Sequence, residues 1–133
     1  MKKLPVVELI APDSINVGHA EVAYEISLGP QSEPLVQHMY LKCDVRRSSS
    51  TVTTSAFFRI RFLIDGIWGV WGNPLNREDV SSQSWQPVQR VGHIQGPYDA
   101  AQLQLRATLS NGSSTAGQNN IREVVMRVQS VVR

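Results

Sequence analysis

The stretch that decides the fold reads Phe58-Arg59-Ile60-Arg61-Phe62-Leu63-Ile64-Asp65-Gly66-Ile67-Trp68-Gly69-Val70-Trp71. Up to Ile64, apolar residues alternate with other residues, mainly arginines, which is the period of a strand with one buried face. Asp65 and Gly66 tolerate the positive φ of a two-residue hairpin turn, so two antiparallel strands are predicted. The predicted register brings core-facing residues together: Ile64 with Ile67, Phe62 with Gly69, and Ile60 with Trp71.

The opposite face of this hairpin is apolar and cationic, which is unusual for a solvated strand pair. It carries Arg59, Arg61, Leu63 and Trp68, a set called the hairpin patch below. Trp and Arg are enriched in the energetic centres of protein interfaces, and a free domain rarely exposes a contiguous surface of this kind. The hairpin patch is therefore predicted to be an interface with a neighbouring protein.

Period-two alternation extends outward from the hairpin over most of the chain. It is clear at residues 20–28, 39–45, 58–64 and 101–109, and weaker at residues 6–10, 67–71 and 87–94. Turn residues such as Gly29-Pro30 and Gly96-Pro97 separate these runs. About eight short strands spaced in this way indicate an all-β fold, a single jelly-roll-like β-sandwich spanning residues 1–133. The predicted core contains Tyr24, Ile26, Leu41, Cys43, Ile60, Phe62, Leu103 and Leu105.

The two ends of the chain allow alternatives. Residues 1–10 form either an extended N-terminal arm that reaches a neighbour, with Lys2 and Lys3 attracted to an acidic surface, or the first strand. Between Ile121 and Val132, apolar residues follow helical spacing, and Asn120 with Glu123 resembles a capping box. The same segment is rich in β-branched residues, which pack well on a pleated sheet. In an otherwise β chain, a strand is favoured.

The residues that carry chemistry form no recognisable site. His19, His38 and His93 have no spacing typical of metal ligands, and the sequence has neither a Gly-rich phosphate loop nor a nucleophile elbow. The single cysteine, Cys43, lies on the apolar side of its strand, as a buried residue would. We therefore predict a protein that is not an enzyme and has no catalytic residues, no cofactor and no metal.

The composition and charge of the chain limit the classes of partner that the protein is expected to bind. Charged residues make up 18% of the chain and the net charge is +2, with the cations spread along the sequence. A specific nucleic-acid binder would concentrate them on one element. The first residues form no long apolar stretch, so neither a signal peptide nor a membrane segment is expected. A lone cysteine is typical of folding in a reducing compartment. The expected partners are copies of the same chain and other proteins of an assembly.

The aromatic residues leave a second function open. Trp68, Trp85 and Tyr98 could form a platform on which sugar rings stack, since amphipathic aromatic rings are suited to such contacts. Asn73, Asn76 and Asp79 lie nearby in the sequence and could bind sugar hydroxyls. A carbohydrate-binding β-sandwich is therefore the alternative function.

Three features together resemble a known class of proteins. They are the start Lys2-Lys3-Leu4-Pro5-Val6-Val7, the uncharged strand from Gln102 to Leu109, and the Ser-rich loops. The chain resembles small all-β virion proteins of tailed bacteriophages, namely capsid cement or decoration proteins and jelly-roll tail components. The resemblance implies a virion protein, folded in the host cytoplasm, that joins neighbouring subunits as a homo-oligomer without catalysis. It carries no motif, so it assigns no functional residue.

Overall fold

The computed structural model describes residues 6–47, 54–72, 75–80, 84–109 and 119–130. These residues form ten strands: β1 (Val6–Ala11), β2 (Ile15–Val17), β3 (Glu21–Leu28), β4 (Val36–Arg47), β5 (Thr54–Ile64), β6 (Ile67–Trp68), β7 (Leu75–Val80), β8 (Gln86–Gln95), β9 (Ala100–Leu109) and β10 (Asn119–Ser130). No helix long and apolar enough to cross a membrane occurs among them. The predicted all-β class is confirmed.

The strands form two antiparallel sheets. The first sheet has the order β1-β10-β4-β8, with β2 beside β1 on the same edge of β10. The second has the order β3-β9-β5-β6, with β7 beside β6 on the same edge of β5. Each sheet therefore has four strand positions, and the chain crosses between the sheets at most connections. This arrangement is a jelly-roll sandwich, as the alternation and turn spacing predicted.

The core lies between the two sheets and consists of inward-facing side chains from both. Its largest fully buried members are Phe58, Leu41, Leu103, Leu105, Ile121 and Met126. Five of the eight predicted core residues are buried, namely Ile26, Leu41, Cys43, Leu103 and Leu105. Tyr24, Ile60 and Phe62 face the core but are only partly buried and pack against its rim. Phe58 is thus the fully buried aromatic residue that β5 contributes to the core, in the place predicted for Phe62.

The last strand contains a bulge that explains its helical spacing. β10 pairs with β4 along its length, but the register shifts between Arg122 and Val125, and Glu123 has a φ of 53°. The extra residue lets Ile121 and Val124 both face the core, three positions apart, where strict alternation would have opposed them. The prediction of a strand over this segment is confirmed for residues up to Ser130, and residues 131–133 lie outside the described part.

A second bulge corrects the predicted face of Val22. The pairing of β3 with β9 shifts between Val22 and Tyr24. Tyr24 still faces the core, but Val22 pairs with Arg106 and is 43% exposed. The alternation from residue 20 to 28 had placed both on the buried face, and the bulge moves Val22 to the other one.

The start of the described chain is part of the sandwich. Val6 to Ala11 pair residue by residue with Gln129 to Val124 of β10, so residues 6–10 form the first strand. Lys2, Lys3 and the rest of residues 1–5 lie outside the described residues. An arm that reaches a neighbour would therefore be confined to those first residues.

Candidate functional site

The β5–β6 hairpin positions the hairpin patch. Ile64 pairs with Ile67 and Leu63 with Trp68, as the sequence predicted. Asp65 and Gly66 form the turn with φ values of 54° and 78°, the left-handed conformation that these residue types accept. The amide of Gly69 donates to the carbonyl of Phe62 at 2.9 Å, which continues the predicted register one step further.

Beyond Gly69 the register changes, and this corrects the position of Trp71. The amide that donates to the carbonyl of Ile60 belongs to Gly72 (3.0 Å), whereas the predicted register would have used Trp71. One extra residue on the second strand turns its side chains to the other face. Trp71 therefore joins the arginines on the outer face and does not face Ile60 in the core.

The outer face holds two arginines stacked on two tryptophans. The guanidinium carbon of Arg59 lies 4.1 Å from the ring centroid of Trp71, and that of Arg61 lies 4.7 Å from the centroids of both Trp68 and Trp71. These distances are within the range of cation–π attraction. The structure thus brings Arg59, Arg61 and Trp68 together, and Leu63 lies half-buried beside Trp68. Trp71 also belongs to this group, and the sequence analysis missed it.

Glutamines of β9 hold the two guanidinium groups in place. Arg59 donates from Nε and Nη2 to Oε1 of Gln104 at 2.9 and 2.7 Å, and Gln104 donates from Nε2 to Glu25 at 2.9 Å. Arg61 donates from Nε to Oε1 of Gln102 at 2.7 Å. Because these bonds use the inner edge of each guanidinium, the arginines are ordered before any partner arrives.

The electrostatics of this face are cationic. Partial burial lowers the pKa of Arg59, and the positive charges of Arg106 and Arg61 lower it further, while Glu25 opposes this. Arg59 remains protonated at neutral pH because an arginine's ordinary pKa is far above it. Arg59, Arg61 and Arg106 thus bring three positive charges to this face, and Glu25 offsets the charge of Arg59.

Apolar side chains at the tip of the hairpin extend the patch. Ile64 is 53% exposed, Ile67 73% and Val70 91%, and Trp68 is 37% exposed. Single exposed apolar residues are ordinary, but a contiguous group next to stacked Trp and Arg is the pattern of an interaction surface. The hairpin tip thus adjoins the hairpin patch at the end of the same two strands.

A second tryptophan–arginine cluster lies on the outer face of the first sheet. Trp85 lies 4.4 Å from the guanidinium carbon of Arg46 and 4.2 Å from that of Arg122, measured to its ring centroid. Arg122 also forms an ion pair with Asp44 at 3.4 Å, and Arg46 donates to Asn120 at 3.3 Å. No local pattern predicted this cluster, since Arg46, Trp85 and Arg122 lie far apart in the chain.

The residues predicted for sugar stacking do not form a platform. Tyr98 is 4% exposed, and its hydroxyl donates to the side chain of Gln37. The rings of Trp68 and Trp85 are in contact with guanidinium groups. Asn73 and the side chains of Asn76 and Asp79 lie outside the described residues, so their predicted role in binding hydroxyls stays a prediction.

The described residues contain no group of three or more His, Cys, Asp or Glu side chains that could hold a metal ion. The thiol of Cys43 is buried, and burial followed by the charge of Asp44 raises its pKa to about 12. A thiol with so high a pKa is a poor nucleophile at neutral pH. Cys43 is thus a packing residue of the core.

Comparison with known proteins gives the fold and no family. No protein-family model matches the chain, and no curated protein sequence does. Among solved structures, the chain is similar to a protein chain in the structure of infectious bursal disease virus, Gt strain. The two share 12% identity with a TM-score of 0.63, and the match covers 96% of this chain and 33% of the virus chain. This chain thus spans about a third of the length of the virus protein. The VP2 subviral particle of the same virus is another solved structure to which it is similar.

Two other solved structures share the fold over nearly their whole length. The CBM22-1 xylan-binding domain of Xyn10C from Paenibacillus barcinonensis has 14% identity and a TM-score of 0.58, over 98% of this chain and 86% of that one. Eiger TNF from S. frugiperda has 7% identity and a TM-score of 0.56, over 98% and 94%. The neighbours therefore support a β-sandwich like those of viral capsids and carbohydrate-binding domains, and they do not single out tailed bacteriophages.

Proposed function

We propose that the protein is a structural subunit without catalytic activity, which binds neighbouring subunits through the hairpin patch and the adjoining hairpin tip. The observation that carries the proposal is the pair of stacked, hydrogen-bonded arginines, Arg59 and Arg61, beside the exposed apolar residues at the hairpin tip. Ordered arginines and tryptophans are the side chains that contribute most to protein interfaces. The neighbour is, in the first instance, a second copy of this chain.

The chemistry of the patch selects the partner's side chains. The glutamines occupy the inner donors of Arg59 and Arg61, so the remaining guanidinium donors point to groups that approach from outside. A planar guanidinium binds a carboxylate with two parallel hydrogen bonds. A partner that places Asp or Glu over the arginines and apolar residues over Ile67 and Val70 would match both parts of this surface.

The assembly that fits best is a virion. Viral capsid proteins are among the solved structures with this fold, and their similarity is to a part of a longer chain. Because a shared fold does not fix a function, the virion role rests on the fold together with the surface described above. A decoration or cement protein of a capsid, or a tail subunit, is the specific form proposed.

Carbohydrate binding is the second candidate, and the fold of the xylan-binding domain is the observation in its favour. The geometry of the aromatic residues favours it less. A sugar that stacked on Trp71 would have to displace guanidinium groups that lie 4.1 and 4.7 Å from its ring centroid. Displacing Arg59 would also break its two hydrogen bonds to Gln104. The arginines thus compete directly with a sugar for the same ring.

The test replaces Trp68 by Ala and measures self-association of the purified chain by sedimentation velocity over a range of concentrations. Truncating an interface hot spot costs about 2 kcal/mol or more, which weakens the dissociation constant by about 30-fold. The melting temperature of the isolated subunit should stay nearly unchanged, because Trp68 lies at an exposed edge. Trp85→Ala is the matched control, since Trp85 has the same arginine stacking on the other sheet.

Three results would contradict the proposal. The wild-type chain could remain monomeric at every concentration, Trp85→Ala could weaken association as much as Trp68→Ala, or Trp68→Ala could unfold the subunit. Tryptophan fluorescence that responds to added xylo-oligosaccharides, in a chain that stays monomeric, would support the carbohydrate-binding alternative. Arg61→Lys adds a check on the partner chemistry, because lysine keeps the charge but cannot bind a carboxylate with two hydrogen bonds. We expect it to weaken association.

A further inference from the structure

Two histidines meet on the outer face of the first sheet. His38 of β4 and His93 of β8 are directly opposite each other in the strand register, and both are exposed. Their ring centroids are 4.7 Å apart, with the planes inclined at 77°. They lie far apart in the sequence, so the spacing that signals a metal site within one element could not reveal them.

We propose that His38 and His93 form a binding site for a divalent transition-metal ion. Two imidazoles that share one metal, with metal–nitrogen bonds of about 2.0–2.1 Å, place their ring centroids about 4.5 Å apart for a right-angle pair and about 5.2 Å apart for a tetrahedral pair. The observed 4.7 Å lies between these values. The two ring centroids therefore have the separation of a chelating pair, and the rings, which meet edge to face, would have to turn so that one nitrogen of each is directed to the ion.

The surroundings of the pair determine which ions it takes. Gln129 of β10 pairs with His38 on the other side, and its Oε1 accepts a hydrogen bond from Nη2 of Arg127 at 2.9 Å. Arg127 is in turn 3.6 Å from the carboxylate of Glu8, which offsets its charge. With imidazole as the protein ligand and no carboxylate in the pair, the site suits Cu²⁺, Ni²⁺ and Zn²⁺ and does not suit Mg²⁺. Water would fill the remaining coordination positions.

The ion would connect an edge strand to the interior of its sheet. Among the described strands, β8 is at the edge of the first sheet and pairs with β4 alone. A metal held by one histidine from each strand binds the folded chain more tightly than the unfolded one, so it stabilises the fold. Because the site is on the opposite sheet from the hairpin patch, its success or failure is independent of the proposed function.

The test uses the full chain without a polyhistidine tag and the chlorides of Cu²⁺, Ni²⁺, Zn²⁺ and Mg²⁺. We expect calorimetric binding of one ion per chain in the affinity order Cu²⁺ above Ni²⁺ and Zn²⁺. The melting temperature should rise with Cu²⁺, Ni²⁺ and Zn²⁺ and not with Mg²⁺. Affinity should fall as the pH is lowered, because protons compete with the metal for imidazole.

His38→Gln and His93→Gln should each weaken binding by at least about tenfold, the lower end of what removing even a ligand's supporting hydrogen bond costs. Since both side chains are exposed, the metal-free melting temperatures should stay close to that of the wild type. His19→Gln is the matched control and should bind as the wild type does. Equal weakening in His19→Gln, unchanged binding in His93→Gln, or the absence of any binding or thermal shift would overturn the proposal.

Discussion

Replacing Phe58 by Ala tests which face of β5 is buried. If the Phe58 side chain faces the core, the side chains of Arg59 and Arg61 face outward. Phe58 is fully buried and pairs with Leu105 on the neighbouring strand β9. A buried aromatic side chain removes about 150 Å² or more from water, which at about 25 cal/mol per Å² corresponds to about 4 kcal/mol. This agrees with the loss of about 3–5 kcal/mol measured for Phe→Ala in protein cores, where a cavity also contributes.

Phe62→Ala is the matched control on the same strand and the same face. Phe62 is only partly buried and packs against the ring of Tyr98 at a centroid distance of 5.4 Å. Its truncation should therefore cost less, about 2 kcal/mol. The sequence analysis had named Phe62, and not Phe58, among the core residues, so the two variants also separate the structural expectation from that prediction.

Urea denaturation followed by circular dichroism gives the free energy of unfolding of each variant. Equal m-values would show that the change lies in stability alone. A loss below about 1 kcal/mol for Phe58→Ala, or a larger loss for Phe62→Ala than for Phe58→Ala, would refute the assignment of faces. Arg59 and Arg61 could then no longer be placed on the outer surface, and the proposed interface would fall with them.

Two further predictions concern the first strand and the cysteine. Deleting residues 2–5 should leave the melting temperature nearly unchanged. Deleting residues 2–8 should lower it clearly, because the longer deletion removes half of β1 from its pairing with β10. Equal melting temperatures of the two deletion variants would contradict this prediction. Burial and Asp44 raise the pKa of Cys43 to about 12 from 9.0, so its contribution to stability is complete below pH 9 and is lost as the pH rises toward 12. In Cys43→Ala this part of the pH dependence should be absent in urea titrations, and an unchanged profile would exclude it.

Local patterns of residues were sufficient for the strands and for the hairpin. Alternation reports which side of a strand is buried, and Asp65-Gly66 reports a tight turn, because both effects act between residues close in the chain. The register of Ile64 with Ile67 follows from the turn length alone. For the same reason, the sequence placed Arg59, Arg61 and Trp68 on one face.

Bulges are the feature that alternation could not reveal. At Val22, at Trp71 and between Arg122 and Val125, one additional residue changes the face of those that follow. Whether a bulge forms depends on hydrogen bonding with the neighbouring strand, which no local pattern records. Trp71 was therefore assigned to the core.

The pairing of distant strands was likewise hidden. His38 meets His93, and Trp85 meets Arg122, only because β4 is placed between β8 and β10. That order is set by the jelly-roll topology and not by any local spacing of these residues. Sequence reasoning could therefore identify single chemical groups on these strands but not the sites they form together.

The two tryptophan–arginine clusters differ in a way that indicates which one has a partner. Around Trp85, Arg122 is paired with Asp44, and Arg46 is hydrogen-bonded to Asn120, so one of the two positive charges is neutralised by a carboxylate. Around Trp71, Arg59 and Arg61 are instead hydrogen-bonded to the neutral side chains of Gln104 and Gln102, and Glu25 offsets the charge of Arg59.

The hairpin side also has apolar residues that extend into solvent, among them Val70 at 91% exposure. When a complementary surface covers positive charge and exposed apolar area, both contribute favourably to the free energy of association. The hairpin side combines the two, whereas around Trp85 one of the two arginines, Arg122, is already paired with a carboxylate. For this reason Trp68, and not Trp85, is the tryptophan whose loss should weaken assembly.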